Sequence, residues 1–193
     1  GLLILGNWNC DKAGNNLNEL SERFGITFSR GCIINKEKCD EAPWNPIISV
    51  LKGHPISDDI EEIALYAPCP LLLKPPARAI AFLDKECLIM DSPLSKTGRK
   101  SRREPVIAYV EYGSGKVVAI GDVTLFTDDC ITRYSNEKLA LNIFKWLSKR
   151  VEVPFPVTTI ERELPVGNFE NYKLLERIGE GSFSTVYKAR SKN

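Results

Sequence analysis

Residues 105–122 read PVIAYVEYGSGKVVAIGD. Two runs rich in β-branched and aromatic residues, 106–112 and 116–120, flank the turn at 113–115, which contains two glycines. Glycines between two such runs are typical of an antiparallel hairpin. The pattern therefore predicts two paired strands, and Gly121 ends the second.

A helix and a buried strand are predicted on either side of this hairpin. Residues 136–149 carry apolar side chains at a spacing of three and four, with lysines on the opposite side, which predicts an amphipathic helix. The apolar run Leu2–Leu5, closed by Gly6, is typical of a buried strand in a parallel sheet. Further elements are predicted as a helix from Asn16 to Gly25, a short helix from Ser57 to Ile63, and strands at 26–28, 71–73, 79–83 and 87–90. The order indicates an α/β protein.

Several stretches together carry a resemblance to a known group of domains. They are GLLILG at 1–6, NLNELSERFGITF at 16–28, residues 105–129, and NEKLALNIFKWL at 136–147. Residues 1–150 resemble the glutamine-amidotransferase-like domains of intraflagellar transport and bacterial gliding proteins. The resemblance implies a Rossmann-like layered α/β domain of class I glutamine-amidotransferase topology. It also implies that the domain is non-catalytic and lacks one or two initial βα units.

A second resemblance lies near the end of the chain, where residues 178–189 read IGEGSFSTVYKA. This segment resembles the glycine-rich loop that opens a eukaryotic-type serine/threonine protein kinase domain, and residues 169–193 would be the truncated start of that domain. The resemblance implies that ATP, held with Mg, would lie against Ile178, Gly179, Glu180, Gly181, Ser182, Phe183, Ser184, Thr185 and Val186. Ser184 replaces the third glycine of the loop. Lys188 is expected to be a solvated strand residue and not the catalytic lysine.

Composition limits the remaining possibilities. The 26 basic and 25 acidic residues give a net charge of +1, so the whole chain offers no electrostatic case for binding nucleic acid or an anionic membrane. No apolar run is long enough for a membrane span. The six cysteines are scattered and the chain has one histidine, so neither the number nor the spacing of these ligands favours a zinc site. Scattered thiols suit a reduced, cytoplasmic protein. Residues 151–168 contain several prolines and are predicted to form a linker.

Three groups of residues are candidates for chemistry in the first domain. Cys10 and His54 would have to form the nucleophile and base of any residual amidase or hydrolase, although no cysteine lies in a nucleophile elbow. Asp122, Asp128 and Asp129 follow a predicted strand, where they either hold a cation or polar ligand, or cap a turn and face solvent. The basic segment 96–103 is either a mobile solvated loop or an anion-binding and phosphorylation site.

The sequence thus favours a fragment of an ATP-dependent protein kinase that phosphorylates serine or threonine of protein substrates. Its first domain would bind an unknown ligand or protein, and the fragment itself would be inactive. The alternative is a non-enzymatic assembly or binding module of the intraflagellar-transport type. A residual amidase or hydrolase is the third reading. No metal site and no nucleic-acid or membrane partner is predicted for these residues.

Overall fold

The computed structural model describes residues 1–8, 10, 17–149, 172–180 and 185–191. The chain divides into two compact units, Gly1–Val153 and Pro154–Asn193. The linker predicted at 151–168 lies outside the described residues.

Short strands dominate the described part of the first unit. In chain order they are β1 (Leu2–Leu5), β2 (Ile26–Phe28), β3 (Cys32–Ile34), β4 (Ile47–Ser49), β5 (Glu62–Ala64), β6 (Leu71–Leu73), β7 (Arg78–Phe82), β8 (Leu88–Met90), β9 (Gly98–Lys100), β10 (Pro105–Tyr112) and β11 (Gly115–Ile120). The α-helices are α1 (Leu17–Ser21), α2 (Asp128–Ile131) and α3 (Asn136–Ser148), and 3₁₀ turns occur at Glu22–Phe24, Pro55–Ser57 and Thr124–Phe126. The unit is therefore mixed α/β, with mostly strands and few helices. None of the helices among the described residues is long and apolar enough to cross a membrane.

The predicted hairpin forms the middle of a four-stranded sheet with the order β1-β11-β10-β7. Strands β10 and β11 pair antiparallel, and Gly113 in their turn has a φ of 58°, a conformation that favours glycine. Strand β1 pairs with β11 in parallel, as the apolar run Leu2–Leu5 indicated. The sheet is thus mixed, because β7 is again antiparallel to β10.

Both faces of this central sheet are buried. Alternate residues of β11 point to opposite faces, and Val118 and Ile120 join one core cluster while Val117 and Ala119 join the other. Helix α3 covers the first face through its apolar stripe, which includes Leu139, Ile143 and Trp146. Strands β2 and β6, which pair with each other, contribute to the core on the second face.

Two sequence predictions about helices have different outcomes. Gly25 ends the helical segment at Glu22–Phe24 as expected, with a φ of 75° and its N–H bonded to the carbonyl of Glu22. The helix predicted from Ser57 to Ile63 is wrong. A 3₁₀ turn at Pro55–Ser57 is present instead, and β5 begins at Glu62. The side chain of His54 caps this turn by accepting the N–H of Ile56, and the hydroxyl of Ser57 accepts the N–H of His54 in return.

The smaller sheets extend the first core. Strands β4 and β5 form one pair, and β3, β8 and β9 form a three-stranded sheet in that order. Ile33 and Ile89 lie opposite each other in this sheet and belong to the first core cluster. The neighbouring residues Ile34 and Leu88 therefore point to its other face.

The second unit contains one antiparallel pair among its described residues. Strands β12 (Tyr172–Glu180) and β13 (Thr185–Ser191) pair from Tyr172 opposite Ser191 to Glu180 opposite Thr185, with two irregularities in the register. Lys188 forms an ion pair with Glu176 at 3.0 Å, and both side chains are exposed. Lys188 is thus a solvated strand residue, as expected.

Candidate functional site

The structure separates Cys10 and His54, the two residues that a residual amidase or hydrolase would need to pair. Cys10 is buried in the second core cluster, and its sulfur accepts the N–H of Asn7 at 3.0 Å. His54 lies against the first face of the central sheet, with its ring centroid 4.0 Å from that of Tyr109. The sheet therefore stands between the thiol and the imidazole. His54 is therefore not placed to act as the base for Cys10, because a base must reach the proton it removes.

His54 instead has a structural role in a small aromatic cluster. Its Nδ1 accepts the N–H of Ile56 at 3.2 Å, and its ring makes an edge contact with Trp146 at a centroid distance of 5.2 Å. Burial lowers the pKa of His54, and the positive charge of Lys116 acts in the same direction, while Glu111 opposes both. A neutral imidazole is what the cap requires, since a protonated Nδ1 cannot accept a hydrogen bond.

Lys116 is buried beside this cluster. Its Nζ lies 3.3 Å from the carbonyl oxygen of Trp146, to which it donates a hydrogen bond, and 4.9 Å from the centroid of the indole ring. The side chain thus packs its charge against an aromatic face. A cavity of about 320 Å³ next to it is also lined by Lys145, Lys149 and Asp58.

Asp122 caps a turn and does not form a carboxylate cluster with Asp128 and Asp129. It is fully buried, and its two carboxylate oxygens accept the N–H groups of Tyr66 and Thr124, each at 2.7 Å. Burial raises the pKa of Asp122 to about 7, although these hydrogen bonds oppose the shift. Asp128 and Asp129 are exposed in α2. Across the described ranges, no group of three His, Cys, Asp or Glu side chains could hold a metal ion.

Some of the residues predicted to bind ATP lie in the hairpin of the second unit. Ile178, Gly179 and Glu180 end β12, and Thr185 and Val186 begin β13. The four residues at the tip, Gly181, Ser182, Phe183 and Ser184, lie outside the described residues. Glu180 pairs with Thr185 and Gly179 pairs with Val186, so the two strands bracket the tip. Their role in nucleotide binding stays a prediction.

The basic segment 96–103 is exposed, as expected for a solvated loop, but part of it, Gly98–Lys100, forms strand β9. Strand β9 pairs with β8, and the carboxylate of the buried Glu104 fixes the turn that follows. This carboxylate forms an ion pair with Arg99 and accepts the N–H of Arg102 at 2.7 Å. Burial opposes ionisation of Glu104, but these contacts outweigh it and lower the pKa. Lys96, Lys100, Arg102 and Arg103 remain exposed.

The structure also reveals an apolar surface that the sequence analysis missed. We define the outer face as the side of the β3-β8-β9 sheet that bears Ile34, Leu88 and Met90, together with Trp44 and Leu94 beside it. These five residues line a groove of about 420 Å³, with Pro43, Pro93, Ser95, Lys36 and Lys96 at its margins. Leu94 is 82% exposed. The signal in the sequence was the unbroken apolar runs of β3 and β8, which place apolar side chains on both faces of the sheet.

Two solved structures are similar to the chain. The mmIFT52 N-terminal domain matches 78% of the chain with a TM-score of 0.61 and 20% identity, and the match covers 65% of that protein. A cytoplasmic protein from Salmonella typhimurium LT2 matches 77% of the chain with a TM-score of 0.52 and 14% identity, and 56% of that protein is covered. The chain thus spans less than two thirds of either. No protein-family model matches the chain, and no curated protein is significantly similar to it in sequence.

Proposed function

We propose that the first unit is a non-enzymatic binding or assembly module of the intraflagellar-transport type. The observation that carries the proposal is the fold shared with the mmIFT52 N-terminal domain, at a TM-score of 0.61. A shared fold does not by itself assign a function, so the residues of this chain must supply the rest of the argument. The finer description, a Rossmann-like layered domain of class I glutamine-amidotransferase topology, belongs to the same proposal.

The chemistry of the first unit supports a binding role over catalysis. Cleavage of an amide or ester by a thiol requires an exposed sulfur that a base can deprotonate. Cys10 is 4% exposed, and His54 is engaged on the opposite face of the central sheet. The outer face, in contrast, leaves an apolar groove open to solvent, which is a feature of surfaces that bind proteins.

An activity assay with a matched variant tests this proposal. The purified chain is incubated with glutamine and with a chromogenic ester, in parallel with Cys10→Ala. We expect equal background hydrolysis for both proteins, because the imidazole of His54 does not reach the thiol of Cys10. Hydrolysis by the original chain that Cys10→Ala abolishes, while circular dichroism shows both proteins folded, would contradict a non-enzymatic module.

The hairpin of the second unit favours a second candidate function for the parent protein. Its two strands bracket a glycine-rich tip, and this arrangement is compatible with the start of a serine/threonine kinase domain. In such a protein, ATP with Mg would supply the phosphoryl group for a protein substrate. The backbone near Gly179 and Gly181 would face the phosphates, and the chain as given lacks the downstream lysine and carboxylates.

A comparison of two lengths of the gene product tests the kinase candidate. The chain as given should neither bind Mg-ATP at micromolar concentration in calorimetry nor transfer phosphate. A product extended through the downstream kinase motifs should do both, and Gly181→Val should weaken its nucleotide binding because a side chain would crowd the phosphates. An extended protein that carries all the motifs but remains inert would refute this candidate and leave the binding module unaffected.

A further inference from the structure

We propose that strand β9 and the outer face bind an extended, acidic segment of a partner protein, which joins the three-stranded sheet as an additional strand. This inference rests on the proposed binding function of the first unit and specifies where and how the partner is held. The mode combines main-chain hydrogen bonds at a sheet edge with side chains that enter an adjacent groove.

The backbone of β9 offers unused donors at the edge of its sheet. Two hydrogen bonds flank its pairing with β8: the N–H of Ser101 bonds to Cys87, and the N–H of Asp91 bonds to Thr97. Bonded and non-bonded pairs alternate in an antiparallel ladder. The backbone N–H of Arg99 therefore bonds to β8, while the N–H groups of Gly98 and Lys100 point outward from the free edge of the sheet. All three β9 residues are exposed.

The outer face lies directly beside this edge. In the register of the sheet, Lys100 is opposite Leu88, and Leu88 is opposite Ile34, so these side chains share one face. A strand added to β9 would continue the row and present every second side chain to this face. Its apolar side chains could then extend toward the groove that Leu88, Met90 and Leu94 line.

The charges around the edge determine the chemistry of the occupant. Five of the cations near this edge and the groove are exposed and form no ion pair with the described residues: Lys36, Lys96, Lys100, Arg102 and Arg103. Two carboxylates beside β9 are already engaged, since Asp91 accepts the hydroxyl of Thr97 and Glu104 pairs with Arg99. Carboxylates of an incoming segment would therefore be complementary to this edge.

The same charges argue against a second copy of this chain as the occupant. Edge-to-edge pairing of two β9 strands would place Arg99 and Lys100 of one copy against the same cations of the other. Like charges at a strand pair are destabilising, and cationic side chains on an edge are a known protection against self-association. With an acidic segment, the repulsion between cations becomes an attraction between opposite charges, and the main-chain hydrogen bonds to β9 can still form.

A titration with a synthetic peptide tests the inference. The probe is a short blocked peptide in which Glu alternates with Leu and Val, and the control peptide has Lys in place of Glu. We expect saturable binding of the acidic peptide only, weakened by salt, with slower amide hydrogen exchange at Gly98 and Lys100. Absence of binding, equal binding of the Lys peptide, or unchanged exchange at both amides would overturn the inference.

Two substitutions at the same position separate strand addition from simple charge attraction. Lys100→Ala removes one charge and keeps the outward N–H, whereas Lys100→Pro removes the donor without breaking a bond to β8. We expect Lys100→Pro to bind the acidic peptide about tenfold more weakly than Lys100→Ala, equivalent to roughly 1.4 kcal/mol. Equal affinities, with both variants showing the unfolding midpoint of the original chain, would overturn strand addition.

The outcomes distinguish this inference from the function on which it rests. If the acidic peptide does not bind and no Cys10-dependent hydrolysis is seen, only the proposal that β9 binds a partner strand is overturned. Cys10-dependent hydrolysis would contradict the binding module itself. Dimerisation of the chain that Lys100→Pro abolishes, measured by analytical ultracentrifugation, would assign the edge to a second copy and overturn the acidic occupant.

Discussion

The central sheet and the β3-β8-β9 sheet both contain apolar strands, but the second sheet is partly open to solvent on one face of β8 and exposed at β9. Ile107 and Ala108 in β10 point in opposite directions, and each is fully buried. In β8, Ile89 is buried in the core while Leu88 on the other face is partly exposed at the groove. Apolar residues that the core does not require are the ones that a partner can use.

The largest loss of stability is expected for a substitution in the tightly packed central region, at Gly121. This glycine follows β11 and packs against the backbone of Cys69. A Cβ at position 121 would lie 1.9 Å from the carbonyl oxygen of Cys69. We expect Gly121→Ala to lower the free energy of unfolding by about 4 kcal/mol or more, measured by urea titration. The control Gly115→Ala meets its nearest atom at 3.3 Å. Similar stability of the two variants would contradict the packing described here.

The pH dependence of stability tests the burial of Asp122. Its pKa is about 7 in the folded state against an ordinary value of 3.8, so the folded state holds the proton more tightly. This contribution to stability is complete below pH 4 and is lost as the pH rises through 7. The loss is on the order of 4 kcal/mol, since each pKa unit corresponds to about 1.4 kcal/mol.

Asp122→Asn provides the control for this titration because the amide does not ionise in this range. The difference in urea midpoint between pH 4.5 and pH 7.5 should shrink in the variant, while contributions from other groups, including His54, remain in both proteins. An identical pH dependence in the two proteins would show that Asp122 titrates as it does in the unfolded chain.

Asn136 should have the next largest effect. Its fully buried side chain accepts the N–H of Ala64 at 3.1 Å and donates to the carbonyls of Ala64 and Cys130, each at 3.0 Å. Asn136→Ala removes the partner of the N–H and the carbonyl of Ala64, whereas the carbonyl of Cys130 still accepts the N–H of Arg133. The substitution should cost about 3 kcal/mol in chemical denaturation. Asn142→Ala is the control, because Asn142 is partly exposed and water can replace its bonds. An equal loss of unfolding free energy in Asn136→Ala and Asn142→Ala would show that burial does not set the cost of removing these hydrogen bonds.

The smallest effect on stability is expected at the outer face. Leu94→Ser should change the free energy of unfolding by less than about 0.5 kcal/mol, since the side chain is already exposed. Ile89→Ser, on the inward side of the same sheet, should be strongly destabilising in the same denaturation experiment. A large loss of unfolding free energy in Leu94→Ser would mean that the outer face stabilises the fold. The exposed apolar residues would then no longer support a binding surface.

The sequence predicted those elements that local patterns determine. The hairpin of β10 and β11 was visible because a glycine turn joins two β-rich runs, and α3 was visible because its apolar stripe repeats at helical spacing. The helix from Ser57 failed because the cap came from His54, a residue type that composition alone does not mark as a cap. The N–H of Ile56 donates to Nδ1 of His54 there.

The candidate site could not be predicted because it depends on which faces and strands come together. Nothing in the sequence shows that the central sheet separates Cys10 from His54. Asp122 and Asp128 also look alike in the sequence, yet one is buried against backbone amides and the other is exposed. The outer face required knowing that β3 pairs with β8 and that β9 is the edge. These are contacts between residues distant in the chain.

The reactivity of Cys10 in the folded chain decides between a binding module and an enzyme that uses a thiol. The folded chain is treated with an electrophilic glutamine analogue and measured by intact mass and peptide mapping, with a urea-unfolded sample alkylated by iodoacetamide to verify that Cys10 can be detected. We predict no modification of Cys10 by the analogue in the folded chain, because its sulfur is buried on the sheet face opposite His54. Stoichiometric modification of Cys10 in the folded chain would contradict the binding module.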